Sequence, residues 1–181
     1  MLKNIFTKNK SHKSNLGSTL ERDINLTNIF YQNNKIALIF KNEIPIKVVK
    51  VDYSSRQRTK IIEAYYCSTS LPDYQGLYKG RYLCFEVKET NNKNSFPFSN
   101  IPKHQLNNLK LIQELKGIAF FIINFKVRKK YFYLPIEFLI DYINNSRKQS
   151  INYKICEEKL YQIPLAFYPR LNYLKIVDNF L

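Results

Sequence analysis

Three side chains suited to metal-dependent hydrolysis lie close together in the segment LPDYQGLYKGRYLCFEVKET, residues 71–90. Asp73 follows a proline, Glu86 comes thirteen positions later in an apolar run, and Lys88 lies two residues beyond it. Two carboxylates that converge on one point are the kind of ligands that a hard divalent cation such as Mg²⁺ prefers. Such a cation ionises a bound water and neutralises charge on a phosphodiester.

A strand and a hairpin would bring these residues together. Because side chains alternate along a strand, Glu86 and Lys88 point the same way and Val87 points into the core. A hairpin closed near Lys79-Gly80 would place Asp73 beside Glu86, and Lys88 could then position water or stabilise developing negative charge. A strand ending in Glu-x-Lys and an aspartate in a Pro-Asp turn are also ordinary structural features. Spacing alone leaves both interpretations open.

Composition favours a polyanionic partner. Lys and Arg number 29 against 14 Asp and Glu, which gives a formal net charge of +15. An excess of this size suits nucleic acid first and an acidic membrane surface second. A membrane-surface protein would need a basic amphipathic helix with a large apolar face, whereas the helices here read as core-facing.

The chain also carries signals about its compartment. It has no run of about 18 apolar residues, which predicts no membrane span. The first residues, MLKNIFTKNKSHKSN, have no apolar stretch of signal-peptide length, which argues against export. Cys67, Cys84 and Cys156 are widely spaced and form no CxxC pair, which argues against a zinc site and a disulfide framework. We expect a cytoplasmic protein.

The length of 181 residues suits one domain, and the 45% of hydrophobic residues can supply its core. Residues 1–15 are predicted to form a flexible basic arm, and residues 16–181 a single domain. A helix is predicted over LGSTLERDINLTNIFYQNN, with an apolar stripe and a capping box of Ser18 and Glu21. The stripe comprises Leu20, Ile24, Ile29 and Phe30.

The remaining pattern predicts several strands and three more helices. Strands are expected at 35–40 and 46–51, on both sides of Gly80, at 117–125, and in KKYFYLP, which pairs with 117–125 as a hairpin. A helix is expected from Pro102 to Gly117, another over IEFLIDYINN, and a last one near LNYLKIVDNF. Residues 52–70 form a basic excursion. This order predicts an α/β layer with a mixed sheet flanked by helices.

The blocks PDYQGLYKGRYLCFEVKET, NSFPFSNIPKHQLNNL and GIAFFII resemble the RecU family of Holliday junction resolvases. The likeness runs from about Asn15 to the C-terminus and includes LGSTLERDINLTNIFY and PRLNYLKIVD. It implies a restriction-endonuclease-like, or PD-(D/E)xK, core with a projecting stalk at about 52–70. It also implies a homodimeric, Mg²⁺-dependent endonuclease that cleaves branched DNA, with Mn²⁺ as a possible substitute and a recombinase as a possible partner.

The resemblance also assigns residues. It places the metal-binding pair on Asp73 and Glu86, assisted by the Val87 carbonyl, and the catalytic lysine on Lys88. It places a further acid of the active site on Glu21, which is also the capping-box partner of Ser18. Gln105 corresponds to a helix glutamine near the family's metal site, and an ordinary exposed polar role fits it equally well. His104 is expected on the helix surface.

The implied DNA contacts are mainly in the stalk. The positions that the resemblance assigns to DNA binding are Lys41, Arg56, Arg58, Lys60, Tyr65 and Tyr66. The basic members would contact phosphates and the tyrosines exposed bases. The same pattern also fits a solvated charged loop whose tyrosines cover an apolar edge.

One position departs from the family pattern. The family usually has Asn-Arg-Gly-Met before the first helix, whereas this chain has Asn15-Leu16-Gly17-Ser18. Loss of that arginine favours reduced activity or altered junction preference. A rival hypothesis is therefore a basic junction-binding protein without catalysis, which explains the charge but not the presence of Asp73, Glu86 and Lys88.

Overall fold

The computed structural model of the chain describes residues 19–54, 58–67 and 71–181. Its α-helices are α1 (Thr19–Asn33), α2 (Lys103–Glu114), α3 (Ile136–Ser146), α4 (Tyr153–Lys159) and α5 (Leu174–Val177). Its strands are β1 (Leu38–Lys41), β2 (Ile46–Asp52), β3 (Lys60–Tyr66), β4 (Tyr74–Tyr78), β5 (Arg81–Thr90), β6 (Ser95–Pro97), β7 (Ile118–Phe125), β8 (Lys130–Pro135), β9 (Ser150–Asn152) and β10 (Tyr161–Ile163).

Six strands form a mixed central sheet in the order β1-β4-β5-β7-β8-β10. Strands β5 and β7 are parallel, and α2 lies in the connection between them, as a parallel pair requires. The other neighbouring pairs in this described sheet are antiparallel. Strand β7 is buried along its whole length, which matches the continuous apolar run of its sequence.

Helices cover both faces of the sheet, and the two faces carry separate apolar clusters. One cluster joins Phe85 and Ile122 to Leu20 and Ile24 of α1 and to the C-terminal segment around Tyr173; we call this the α1 face. The opposite cluster, on the α2 face, joins strand and helix residues that include Cys84, Phe121, Leu109 and Leu139. Glu86 and Lys88 share the α2 face with Cys84 because side chains alternate along β5.

A two-residue turn joins the strands that carry the candidate acids. Lys79 and Gly80 both have positive φ, 48° and 74°, as expected for the hairpin turn that matches strand twist. Strand β4 therefore returns directly into β5, with Tyr74 opposite Phe85 and Tyr78 opposite Arg81. This register places Asp73, one residue before β4, next to the level of Glu86.

The sheet, its flanking helices and the hairpin at Gly80 confirm the predicted fold class. Some local expectations were wrong. Ile29 is 54% exposed, although the helical stripe predicted it in the core. Gly117 was expected to end α2, but the residue with positive φ at that end is Lys116, at 68°. Gly117 is required for a steric reason, because a Cβ there would lie 2.6 Å from the Ile112 side chain.

The basic excursion belongs to a two-stranded ribbon that begins earlier than residue 52. Strands β2 and β3 pair with each other in a separate sheet, and most of their residues are exposed. Residues 55–57 and 68–70, the predicted arm at 1–15 and the capping-box residue Ser18 lie outside the described residues.

The described chain contains no helix that is both long and apolar enough to cross a membrane. Cys84 and Cys156 are buried thiols, Cys67 is exposed, and all three are free.

Candidate active site

The β4–β5 hairpin brings Asp73, Glu86 and Lys88 together on the α2 face. The Val87 backbone N–H donates a hydrogen bond of 2.9 Å to Asp73 Oδ2, which fixes the Asp73 carboxylate against β5. Lys88 Nζ lies 2.9 Å from Glu86 Oε2 and 3.7 Å from Asp73 Oδ2. The ammonium group therefore contacts both carboxylates.

The surroundings of the Glu86 carboxyl disfavour its ionised form. Its side chain is 2% exposed. Burial, and next the neighbouring Asp73 charge, raise the pKa of Glu86 to about 8, and Lys88 partly opposes this rise. Asp73 also raises this pKa by hydrogen bonding to Glu86, so the two carboxyl groups are adjacent. A buried carboxyl beside a second, partly exposed one, with one partly compensating cation, is a site that a divalent ion would stabilise.

Asn42 holds the turn that carries Asp73. The Asn42 side chain donates to the Pro72 carbonyl at 2.5 Å and accepts from the Gln75 amide at 2.8 Å. Its backbone N–H donates to the Asp73 carbonyl at 2.9 Å. Sequence reasoning missed Asn42, since it lies 30 residues from Pro72 and only the β1–β4 pairing reveals the contact.

Glu21 and Lys41 form a pair beside this cluster. Lys41 Nζ lies 2.9 Å from Glu21 Oε2, and both side chains are more than one third exposed. Hydrogen bonding to Glu21 is the main cause of the raised pKa of Lys41, and Asp73 contributes to the rise through its charge. The structure thus places Glu21 in contact with Lys41, whose ammonium also interacts with the Asp73 charge.

Gln105 lies in the first turn of α2, the helix that packs against β5 and β7 on the α2 face. Its Oε1 atom is buried and has no hydrogen-bond partner among the described residues. A buried amide oxygen without a partner is costly and calls for a ligand or ordered water. The neighbouring His104 is exposed.

The donor set suits a cation bound mainly by two carboxylates. Among residues 19–54, 58–67 and 71–181, no group of three or more His, Cys, Asp or Glu side chains is arranged to hold a metal ion. The carboxylates that the hairpin brings together are those of Asp73 and Glu86, and a role for the Val87 carbonyl stays a prediction from the resemblance.

Most of the expected DNA contacts lie on the ribbon. Lys60 and Tyr65 belong to β3, and Arg58 precedes it; all three are exposed. Tyr66 is 81% exposed, and the Tyr65 hydroxyl donates to Glu63 at 2.7 Å. Lys41, by contrast, lies at the end of β1 beside the carboxylates. Arg56 lies outside the described residues.

Comparison with known proteins gives a family for this chain. The family model described as "Recombination protein U" matches residues 15–179. Curated relatives named "Holliday junction resolvase RecU" include one from Lactobacillus helveticus, 44% identical over 93% of this chain and 80% of its own length. Another, from Staphylococcus epidermidis, is 43% identical over 90% of this chain and 80% of its own length.

A third relative with the same name, from Streptococcus pyogenes serotype M1, is 38% identical over 96% of this chain and 88% of its own length. The family match spans β1–β10 and both acids of the hairpin, and the relatives agree with it. The resemblance inferred from the sequence blocks is thus confirmed, and the chain belongs to the recombination protein U (RecU) family.

Proposed function

We propose that this protein is an endonuclease that resolves four-way DNA junctions by metal-dependent hydrolysis of paired phosphodiester bonds. The observation that carries the proposal is the contact of Lys88 with both Asp73 and Glu86, which lie side by side on the β4–β5 hairpin. The relatives of this chain are named Holliday junction resolvases. A cytoplasmic location and contact with a recombinase belong to the same proposal.

We infer that the cation is Mg²⁺, with Mn²⁺ as an alternative. Both are hard ions that favour carboxylate and carbonyl oxygens. Asp73 and Glu86 would hold the ion with the Val87 carbonyl. Gln105 is a further candidate because its buried Oε1 has no partner among the described residues. When bound, the ion supplies an activated water and neutralises charge on the phosphate.

The protein side chains divide the remaining work. Asp73 and Glu86 would hold the cation beside the scissile phosphate, and Asp73 is held in place by Val87 N–H and by Asn42. The Lys88 side chain is only 15% exposed, and its ammonium lies at the two carboxylates. There it can orient water and stabilise negative charge on the phosphate. Glu21 is a second group for orienting water once Lys41 turns towards DNA.

We propose that Lys41, Arg56, Arg58 and Lys60 contact phosphates of the junction. These are sequence-independent contacts that fix the orientation of DNA on the protein. Tyr65 and Tyr66 present exposed rings that can stack on unpaired bases near the junction centre.

The exposed apolar residues of the ribbon support a homodimer, as does the need for paired cuts. An isolated two-stranded ribbon is marginally stable in water. Strands β2 and β3 nevertheless expose a set of apolar side chains, namely Ile46, Val48, Val49, Ile61 and Ile62. We infer that a second copy of the chain covers them. Two protomers related by two-fold symmetry would place two sites at opposed strands of a junction.

The substitution Glu86→Gln tests the chemical part of the proposal. It preserves size and removes the negative charge, so junction cleavage should fall at least about 100-fold while junction binding stays within about threefold. Glu114→Gln, an exposed residue of α2, is the matched control and should cut normally.

Cleavage should be measured with Mg²⁺ and with Mn²⁺ on a synthetic four-way junction and on linear duplex. Binding without cutting by the unaltered protein in both metals would favour the rival hypothesis of a non-catalytic junction binder. Equal cutting of junction and duplex would instead indicate a general nuclease.

A further inference from the structure

The turn after β7 carries a concentration of positive charge at the carboxyl end of the parallel pair β5 and β7, of which β5 holds Glu86 and Lys88. Residues 126–130 read KVRKK, and all but Lys130 are exposed, Lys130 being half-buried. Lys93, in the loop after β5, is also exposed. We call Lys93 together with Lys126–Lys130 the basic turn.

The basic turn is a fixed structure. The Arg128 Nε–H donates to the Lys93 carbonyl at 2.5 Å, and the Arg128 guanidinium lies 4.0 Å from the ring centroid of Tyr153. Lys129 has a positive φ of 52° and closes the turn with a hydrogen bond of 3.2 Å to the Lys126 carbonyl. A preorganised cationic surface binds a polyanion at a smaller entropic cost than free side chains do.

Charges on the basic turn remain open for a partner. Lys126 pairs with Glu89 at 3.5 Å. Among the described residues, the hydrogen bond of the Arg128 guanidinium uses Nε, which leaves its other donors for a fork-like contact with a phosphate. Lys93 and Lys129 are exposed. Flexible ammonium groups beside a fixed guanidinium are the pattern expected for a phosphate backbone.

The register of the sheet relates this surface to the candidate site. Glu86 pairs with Phe121 and Thr90 pairs with Phe125, so the basic turn begins five residues beyond the level of Glu86. At about 3.3 Å per residue this separation is about 16 Å. Phosphates of one DNA strand advance by about 3.4 Å per nucleotide along the duplex axis, so in a duplex arm that lies along β5 and β7 the separation corresponds to about five nucleotides.

We propose that the basic turn binds the phosphate backbone of a duplex arm and holds that arm with its scissile phosphate at Asp73 and Glu86. This inference rests on the proposed function. It adds a second DNA-contact surface, on the body of the protein and separate from the ribbon, that recognises the backbone and not the base sequence.

The test uses Lys93→Gln/Lys129→Gln, which removes two exposed charges and leaves the Lys93 carbonyl in place for Arg128. The matched control is Lys35→Gln/Lys116→Gln. These two lysines are also exposed and have positive φ, 57° and 68°, like Lys129, but they lie at the opposite end of the sheet, before β1 and β7. Both double variants change the net charge equally.

Junction affinity is measured in EDTA, which prevents cutting, over a range of salt concentrations. The test variant should bind on the order of 10-fold more weakly at moderate salt, and its salt slope should fall by about one for each phosphate that it no longer neutralises. The control should keep the slope of the unaltered protein.

Equal slopes for the test and control variants would overturn the inference, because a general loss of charge would then explain any weakening. A methylphosphonate scan gives a second readout. Neutral linkages about five nucleotides from the cut should weaken junction binding by the unaltered protein but leave binding by the test variant unchanged. Failure of the proposed function is distinguishable, since it shows in the unaltered protein as junction binding without cutting.

Discussion

At the residue scale, the electrostatic state of Glu86 controls both the stability of the metal-free protein and its attraction for a cation. The carboxyl is buried beside Asp73, so its ionised form is disfavoured, and Lys88 compensates one of the two charges. The site is therefore more stable with a proton or a divalent ion than with neither.

The raised pKa of Glu86 predicts how stability depends on pH. Because this pKa is about 8 in the folded protein against 4.5 as the ordinary value, the unfolded chain releases the proton first as the pH rises. The free energy of unfolding in EDTA should therefore fall by a few kcal/mol between about pH 4.5 and pH 8 and then level off. Urea unfolding at several pH values measures this decline in the free energy of unfolding. Glu86→Gln should lack this decline, and an equal decline in that variant would contradict the assignment.

Replacement of Lys88 by methionine isolates the role of its ammonium group. Loss of the buried cation leaves Asp73 and Glu86 uncompensated, so the metal-free protein should lose about 3 kcal/mol of stability at pH 8. Saturating Mg²⁺ should restore more stability in the variant than it adds to the unaltered protein, because the ion supplies the missing positive charge.

Thermal unfolding with and without Mg²⁺ measures both effects of Lys88→Met. Lys79→Met serves as the control because Lys79 forms an exposed pair with Asp178, and exposed ion pairs contribute little to stability. If the Mg²⁺-induced stabilisation is the same in Lys88→Met as in the unaltered protein, the ammonium does not share the site of the ion.

At the element scale, the hairpin and the edge strand β1 determine whether Asp73 reaches Glu86. Gly76 lies where β4 closely approaches β1: a Cβ there would lie 1.9 Å from the Leu38 carbonyl oxygen and 2.7 Å from the Ile39 Cα. Both obstacles are backbone atoms, so β1 would have to move. Lys41 and Asn42, at the end of β1, would move with it.

Gly76→Ala should therefore lower the free energy of unfolding by at least about 2 kcal/mol and expose the amides of β1 to hydrogen exchange. Gly80→Ala is the comparison, since Gly80 has a positive φ of 74° but open space around its Cα. Its cost should be about 1–2 kcal/mol and confined to the turn. If Gly76→Ala proves as mild as Gly80→Ala and β1 stays protected, the tight β1–β4 contact does not hold Asp73.

Local patterns in the sequence predicted the elements that carry the site. The unbroken apolar run of β7 and the alternation in β5 are local properties, as is the turn at Lys79-Gly80. Spacing also predicted that Asp73 could lie beside Glu86. The Asn42 contacts and the pairing of Glu21 with Lys41 could not be predicted, because they depend on which strand forms the edge of the sheet.

The exposure of Ile29 and the early start of the ribbon at Ile46 have a related cause. Helical periodicity shows which face of α1 can be apolar but not how far the sheet beneath it extends. Similarly, β2 reads as an ordinary strand because its apolar residues suit a sheet, whereas the structure pairs it with β3 alone and leaves these residues exposed.

At the scale of the whole molecule, charge and symmetry act together. A net charge of +15 on each protomer attracts DNA but opposes the close approach of two protomers. The exposed apolar residues of the ribbon offset this repulsion in the proposed dimer. DNA that contacts both protomers would reduce it further, so we expect the dimer and the junction to stabilise one another.

Mixed dimers test whether the two sites act as a pair. When the unaltered protein and Glu86→Gln are mixed in equal amounts and allowed to exchange subunits, about half of the dimers should contain one active site. On a plasmid that extrudes a cruciform, two active sites give linear DNA, whereas one active site gives a nicked circle. Nicked circles should therefore exceed the sum produced by the two proteins incubated separately, as measured by gel electrophoresis. Glu114→Gln in place of Glu86→Gln should produce no excess. If the Glu86→Gln mixture also produces none, the protomers cut independently and the two-fold arrangement inferred from the ribbon is wrong.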